Sequence, residues 1–192
     1  MTVRIIGPKD IRPVDAIDTT SRSLGWSRGL SPFFVGPVAL YGGHTALNVE
    51  NAWQFSKVYP EHVGADGTPT EDYWEWAKAG WADKRAHRYP MGKGRVPKFS
   101  WWDGKALSYL EARRRIYFPL YAKAVSKTSA FHHLLNLYLQ LGEVTLWDFD
   151  GYDHRALGMT YSDVLNNPER KMGHAFVLGH LLEGLRERLP PH

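Results

Sequence analysis

The sequence predicts an α+β protein, mostly helical around a small β-sheet and forming a single compact domain over residues 1–192. Long stretches carry apolar residues at helical spacing, while only short apolar runs read as strands. A chain of 192 residues with 43% hydrophobic content suits one core. No linker, repeat or low-complexity tract divides it.

Taken in order, Val3–Ile6 is a short apolar run ended by Gly7 and Pro8, an expected edge strand. Ser21–Gly29 is rich in Ser, Arg and Gly and reads as loop. Phe33–Leu40 reads as a strand broken at Gly36-Pro37, with Gly42-Gly43 turning the chain afterwards. Asn48 stands where a helix cap belongs, so the spacing predicts a helix over Val49–Tyr59. Glu61–Pro69 is a polar connection. Thr70-Glu71-Asp72 opens a helix with Tyr73, Trp76, Ala77 and Trp81 on one side, its acids suited to the helix dipole.

Residues 87–102, HRYPMGKGRVPKFSWW, are too rich in Gly and Pro for regular structure and predict a long functional or mobile loop. A helical pattern runs from Asp103 to about Ala124, with Pro119 expected to kink or divide it. Thr128–Leu141 predicts an amphipathic helix with Phe131, Leu134, Leu135, Tyr138 and Leu139 inward. Val144–Phe149 predicts a strand entering the loop Asp150–Gly158, and a last helix spans about Lys171–Leu189.

Cysteine is absent, which excludes disulfides and thiolate chemistry and fits a reducing compartment. The apolar runs are too short to span a bilayer, and MTVRIIGPKDIRP has no apolar signal segment, so a cytoplasmic protein without membrane contact is expected. The net charge of +4 and pI near 9.2 permit an anionic partner. Basic residues are dense at Lys93, Arg95 and Lys98 and again at Arg113–Arg115. Eight tryptophans supply either a dense aromatic core or flat surfaces for bases and sugars.

Candidate chemistry starts with NVENAWQFSK, residues 48–57. On the expected helix, Glu50, Gln54 and Lys57 fall on one stripe beside Val49, Ala52, Trp53 and Ser56, which look suited to burial. That stripe is either a solvated charged face or the border of a cleft. The run Met91-Gly92-Lys93-Gly94-Arg95 offers backbone N–H groups and cations to a phosphate, and reads equally as an ordinary flexible loop. TLWDFDGYDH, residues 145–154, gathers Trp147, Asp148, Asp150 and Asp153 where a strand gives way to a loop. Such carboxylates can grip a ribose or polarise a water, and Asp and Gly also simply make turns. No metal or cofactor is expected. The pair His132-His133 points different ways, His174 and His180 do not share a face, and no dinucleotide or Walker motif is present.

The order of these motifs resembles the NADAR family, which includes riboflavin-biosynthesis-intermediate N-glycosidases and enzymes that remove ADP-ribose from guanine bases in nucleic acids. The resemblance spans about Gly29 to Glu187. LSPFF (30–34) precedes VENAWQFSK as the family's FSNF segment precedes its Ser-Glu-His helix, with Glu50, Gln54 and Lys57 at the family's spacing. MGKGR (91–95), followed by Trp101 or Trp102 and an Arg-rich helix, looks like the Gly-basic segment. LWDFDG (146–151) is similar to the Trp-Gly-Asp-Gly region. Leu178-Gly179-His180-Leu181-Leu182-Glu183-Gly184-Leu185-Arg186 is close to the closing helix. Val49 and Asn51 replace the family's Ser and His, the insert Glu61–Tyr89 is longer than the family's, and the family's late Asn has only Asn166, Asn167 and His174 as nearby candidates.

The resemblance implies hydrolysis of a C1′–N bond in a ribosylated or ADP-ribosylated base, free or in nucleic acid. It implies Lys57 as the amine forming an imine at C1′, Glu50 as acid/base and Gln54 as a positioning hydrogen-bonder beside Trp53. Trp147, Asp148 and Asp150 would hold ribose and base, with Trp102 a further binding residue. Gly92, Lys93 and Arg95 would meet a phosphate. The lysine must be partly neutral, which burial beside Trp53 or a neighbouring cation promotes and a close Glu50 opposes. Two other readings stand beside this one. One is a DNA glycosylase acting on a modified base, since a lysine imine forms equally on deoxyribose. The other is a non-catalytic ADP-ribose or nucleotide-binding module.

Overall fold

Val3, Ile5 and Ile6 turn inward and Arg4 outward, so the first apolar run is a strand, β1 (Thr2–Ile6). The structure, a computed structural model, describes residues 2–186. Next come β2 (Ile17–Asp18), β3 (Val38–Ala39), β4 (Thr45–Ala46), α1 (Val49–Gln54) and β5 (Lys57–Val58). α2 (Glu71–Ala82), β6 (Phe99–Trp102), β7 (Lys105–Leu107), α3 (Tyr109–Ala112) and α4 (Phe118–Val125) follow. α5 (Ser129–Leu141), β8 (Glu143–Trp147), α6 (Tyr161–Asn166) and α7 (His174–Arg186) complete the described chain. The protein is α+β, about 42% helix, and the strands among the described residues are shared among three small sheets.

The chain divides into two compact units, Met1–Ser31 with Tyr121–His192, and Pro32–Leu120. In the first, β1 and β2 flank β8 in a parallel sheet, with Val3 opposite Val144 and Ile5 opposite Leu146. α7 packs on β1 through buried Ala175, Phe176, Leu178 and Leu182, and α5 packs on β8. Beyond the strand ends, Gly7 and Gly151 meet back to back, leaving no room for a side chain at either position.

The second unit holds an antiparallel pair, β3–β4, and a three-stranded antiparallel sheet in the order β5-β6-β7. α2 starts as its sequence promises, Thr70 Oγ1 accepting from the Tyr73 N–H at 3.3 Å, and buries Tyr73, Ala77 and Trp81. Leu107, Ala112 and Ile116 form a buried patch on which Trp53, Trp102 and Leu120 pack.

Several sequence expectations are corrected. The strand expected over Phe33–Leu40 is confined to Val38–Ala39, and the Gly36–Pro37 peptide is cis. The irregular stretch ending at Trp102 instead contains β6. The residues after Asp103 are not helix but the second arm of a hairpin. Asp103 and Gly104, with φ of 46° and 77°, make the tight turn that right-twisted hairpins favour. The helix begins only at Tyr109, where Ser108 and Glu111 form a capping box. A π-helical turn at Arg113–Tyr117, upstream of Pro119, interrupts it. α6, opened by a Thr160/Asp163 capping box, was not expected from the sequence. α7 begins at His174 rather than Lys171, and the expected end near Leu189 lies outside the described residues. Among the described residues, no helix is long and apolar enough to cross a membrane.

A Cβ at residue 7 would sit 1.9 Å from the Gly151 carbonyl oxygen, so backbone must move. Gly7→Ala is expected to destabilise by about 2–3 kcal/mol. Gly25→Ala, whose Cβ meets nothing within 4 Å, stays within about 0.5 kcal/mol of wild type. Urea unfolding midpoints compare the two.

Candidate functional site

The helix expected over Val49–Tyr59 stops at Gln54, and Lys57 belongs to β5. Ser56 Oγ donates to the Trp53 carbonyl at 2.8 Å, and Tyr73 Oη on α2 donates to the Phe55 carbonyl at 3.0 Å. These bonds satisfy carbonyls a longer helix would use, and the chain turns into β5, where Lys57 pairs with Ser100. At the other end, the Val49 and Glu50 N–H groups donate to the Val35 and Pro32 carbonyls at 2.9 and 3.0 Å. Asn48 Oδ1 accepts from the Asn51 N–H at 2.8 Å.

The trio is brought together despite the shorter helix. Gln54 Nε2 donates to Glu50 Oε1 at 2.9 Å, and Lys57 Nζ donates to Gln54 Oε1 at 2.7 Å. Glu50 and Gln54 are buried, Lys57 is half-buried, and its Nζ lies 4.9 Å from the centre of the Trp53 ring. Gln54 thus bridges carboxylate and amine, presenting to each the end of its amide that complements it.

Asn51 is fully buried. Its Nδ2 donates to the Asp83 and Arg85 carbonyls at 3.0 and 2.9 Å, and its Oδ1 accepts from the His87 N–H at 2.9 Å. It clamps the start of the Gly- and Pro-rich loop to the helix that carries Glu50. His87 in turn contacts Asp83 at 2.7 Å, and this bond lowers the Asp83 carboxyl below its usual range. Val49 is a core residue with no exposure.

In the basic loop, Gly92 and Lys93 are exposed, and the Gly92 and Arg95 N–H groups are committed to the loop's own turns. The Arg95 guanidinium pairs with Glu61. Two of the groups expected to meet a phosphate therefore already have partners. Arg113 is buried against Tyr109, its Nη2 donating to the phenol oxygen at 2.8 Å, while Arg114 and Arg115 are exposed. Trp102 is half-buried and meets Tyr41 edge-on at 4.8 Å.

Within the first unit, Trp147, Asp148 and Asp150 follow one another where β8 ends. Trp147 is half-buried beneath the Arg12 guanidinium at 4.5 Å. Asp148 is buried. Its Oδ2 accepts from the Ala175 N–H in the first turn of α7 at 3.1 Å and lies 3.2 Å from His174 Nδ1. His174 Nε2 donates to the Thr19 carbonyl at 2.7 Å. Asp148 thereby ties α7 to the sheet, an anchoring task where the family resemblance implies a sugar contact. Asp150 is half-buried, 3.9 Å from Lys171 Nζ, and its N–H donates to Asp148 Oδ1 at 3.4 Å. Of the three residues near the late Asn that the NADAR resemblance implies, His174 joins this network. Asn166 donates to the Ser162 carbonyl, and Asn167 accepts from the Glu169 N–H. The sequence carried no signal for the His174–Asp148 contact, which joins residues far apart in the chain. Among the described residues no cluster of His, Asp and Glu could hold a metal ion.

This α+β chain, with a carboxylate, amide and amine linked in one unit, matches a known family over most of its length. Residues 9–178 fit the family described as "Family of unknown function (DUF6939)", and the chain belongs to it. No curated protein matches the chain, and no solved structure does.

Asn51→Ala removes three hydrogen bonds and leaves two carbonyls and an N–H without their partner. It is expected to destabilise by about 2–4 kcal/mol and to raise proteolytic cleavage across residues 83–88. Urea titration and mass mapping of limited digests measure both.

Proposed function

We propose that the protein is an N-glycosidase that breaks the C1′–N bond of a ribosylated or ADP-ribosylated base through a lysine imine. The observation that carries this reading is the hydrogen-bonded series Glu50–Gln54–Lys57, partly buried beside Trp53. The NADAR-like order of the surrounding motifs supplies the roles.

A lysine attacks carbon only through a neutral amine. The Gln54 carbonyl accepts a hydrogen bond from the amine without adding a net charge. In the proposed sequence Glu50, as the acid, gives a proton to the departing base while the C1′–N bond breaks. The Lys57 nitrogen forms a bond to C1′ and loses a proton. The C1′–O4′ bond then opens, O4′ takes up a proton, and an iminium links C1′ to Nζ. Water adds to C1′ with one proton passing to Glu50, the remaining hydroxyl proton passes to Nζ as the C1′–Nζ bond breaks, and the sugar leaves as its aldehyde, which closes to the ring form.

The test uses an ADP-ribosylated guanine nucleoside and a riboflavin-biosynthesis intermediate as substrates. Borohydride added during turnover should leave a reduced sugar adduct on the peptide containing Lys57. Lys57→Ala should lose about 10³-fold or more in kcat, and Gln54→Leu about 10–100-fold with an intact fold. Full activity in Lys57→Ala with no adduct in the wild type would overturn the mechanism.

A further inference from the structure

The second unit contains a group of aromatic rings that the lysine chemistry leaves unused. Tyr41 lies in the 3₁₀ turn Tyr41–Gly43 between β3 and β4, followed by His44. Trp74 and Trp81 face them from α2, and Trp102 faces them from β6. Tyr41 meets Trp74 and Trp81 edge-on at 6.4 Å each and Trp102 at 4.8 Å. His44 and Trp74 are near-parallel, 25° apart with centres 6.3 Å distant, and His44 lies 5.3 Å from Trp81. Tyr41, His44, Trp74 and Trp102 are half-buried, so the group reaches the surface, while Trp81 is only 2% exposed.

Two polar atoms in this group are buried without a hydrogen-bond partner, Tyr41 Oη and Trp81 Nε1. The indole N–H can only donate. Burial, reinforced by Asp103, pushes the Tyr41 phenol far above its ordinary range, so its hydroxyl keeps its proton and is also a donor. An unsatisfied buried donor costs about 1–3 kcal/mol, and native interiors retain few. Two of them among rings that open to the surface are a standing demand for an acceptor.

We infer that Tyr41, His44, Trp74, Trp81 and Trp102 form a binding subsite for a flat, acceptor-bearing heterocycle, a nucleobase. The ligand-free packing closes both donors to solvent, so the rings part to admit the base. Its ring is then held by the aromatic faces, and its carbonyl or ring-nitrogen atoms take up the Tyr41 O–H and Trp81 N–H. The choice of a nucleobase over other heterocycles rests on the N-glycosidase reading. Trp102 packs on the same Leu107–Ala112–Ile116 patch as Trp53, the ring beside Lys57 Nζ, so one apolar support serves both places.

The experiment separates this subsite from the chemistry by working in Lys57→Ala protein, in which the proposed imine cannot form. Equilibrium dialysis with radiolabelled guanosine, adenosine and uridine, with ribose as the control, measures binding. Urea unfolding of the ligand-free protein measures stability. At least one nucleoside should bind and ribose should not. Adding Tyr41→Phe should weaken that binding about tenfold, while the unfolding midpoint stays the same or rises because an unsatisfied hydroxyl is gone. His44→Ala, at the half-buried rim, should weaken binding without unfolding the protein.

Absence of nucleoside binding overturns the subsite, as does binding unaffected by Tyr41→Phe. A Tyr41→Phe variant that loses stability and binding together also overturns it, since the hydroxyl would then be bonded in the free protein. An imine on Lys57 combined with Tyr41-independent binding sinks the subsite and leaves the glycosidase standing. Tyr41-dependent binding with no imine does the reverse.

Discussion

A helix of six residues cannot hold itself together in water, because nucleation costs more than so few internal bonds return. α1 persists because its ends are bonded to groups outside it. The Pro32 and Val35 carbonyls and the Asn48 side chain receive its first N–H groups, and the Ser56 and Tyr73 hydroxyls take carbonyls at its end. Everything proposed for the site depends on this constraint. The early stop lets β5 begin at Lys57, and the turn between them brings the Lys57 amine back to Gln54.

The same helix organises the loop after α2. Asn51 points away from the Glu50–Gln54 face into a set of backbone groups at residues 83–87, so one short element positions the candidate amine and holds the loop. A His at this position would have one donor and one acceptor in its neutral form, too few for the three bonds Asn51 makes. An Asn at this position is therefore fitted to the loop it holds. In the first unit Asp148 performs a comparable tie, joining the end of β8 to the start of α7.

Much of this was legible in the sequence, and the remainder was hidden for identifiable reasons. Local signals located β1, α2, α5 and β8 closely, because caps such as Thr70 and Thr128 and simple periodicity suffice there. The spacing of Glu50, Gln54 and Lys57 foretold that these three side chains meet, though through a helix five residues too long. Three- and four-residue steps align side chains on a helix, and here a capped turn produced the same neighbours. The hairpin over residues 99–107 was readable from Asp103-Gly104 between aromatic and apolar arms, a signal outweighed by the Gly and Pro just before it. The tasks of Asn51 and Asp148 were not readable, since their partners lie more than twenty residues away and leave no local pattern.

The central claim is that Gln54 holds the Lys57 amine with an uncharged acceptor while Glu50 holds Gln54. The Gln54 side-chain NH₂ reports on this directly through its hydrogen exchange in a ¹⁵N-edited NMR spectrum. The account predicts slow exchange in the wild type and a return toward the rate of an exposed glutamine in Glu50→Ala. Fast exchange in the wild type, unchanged by Glu50→Ala, would contradict it.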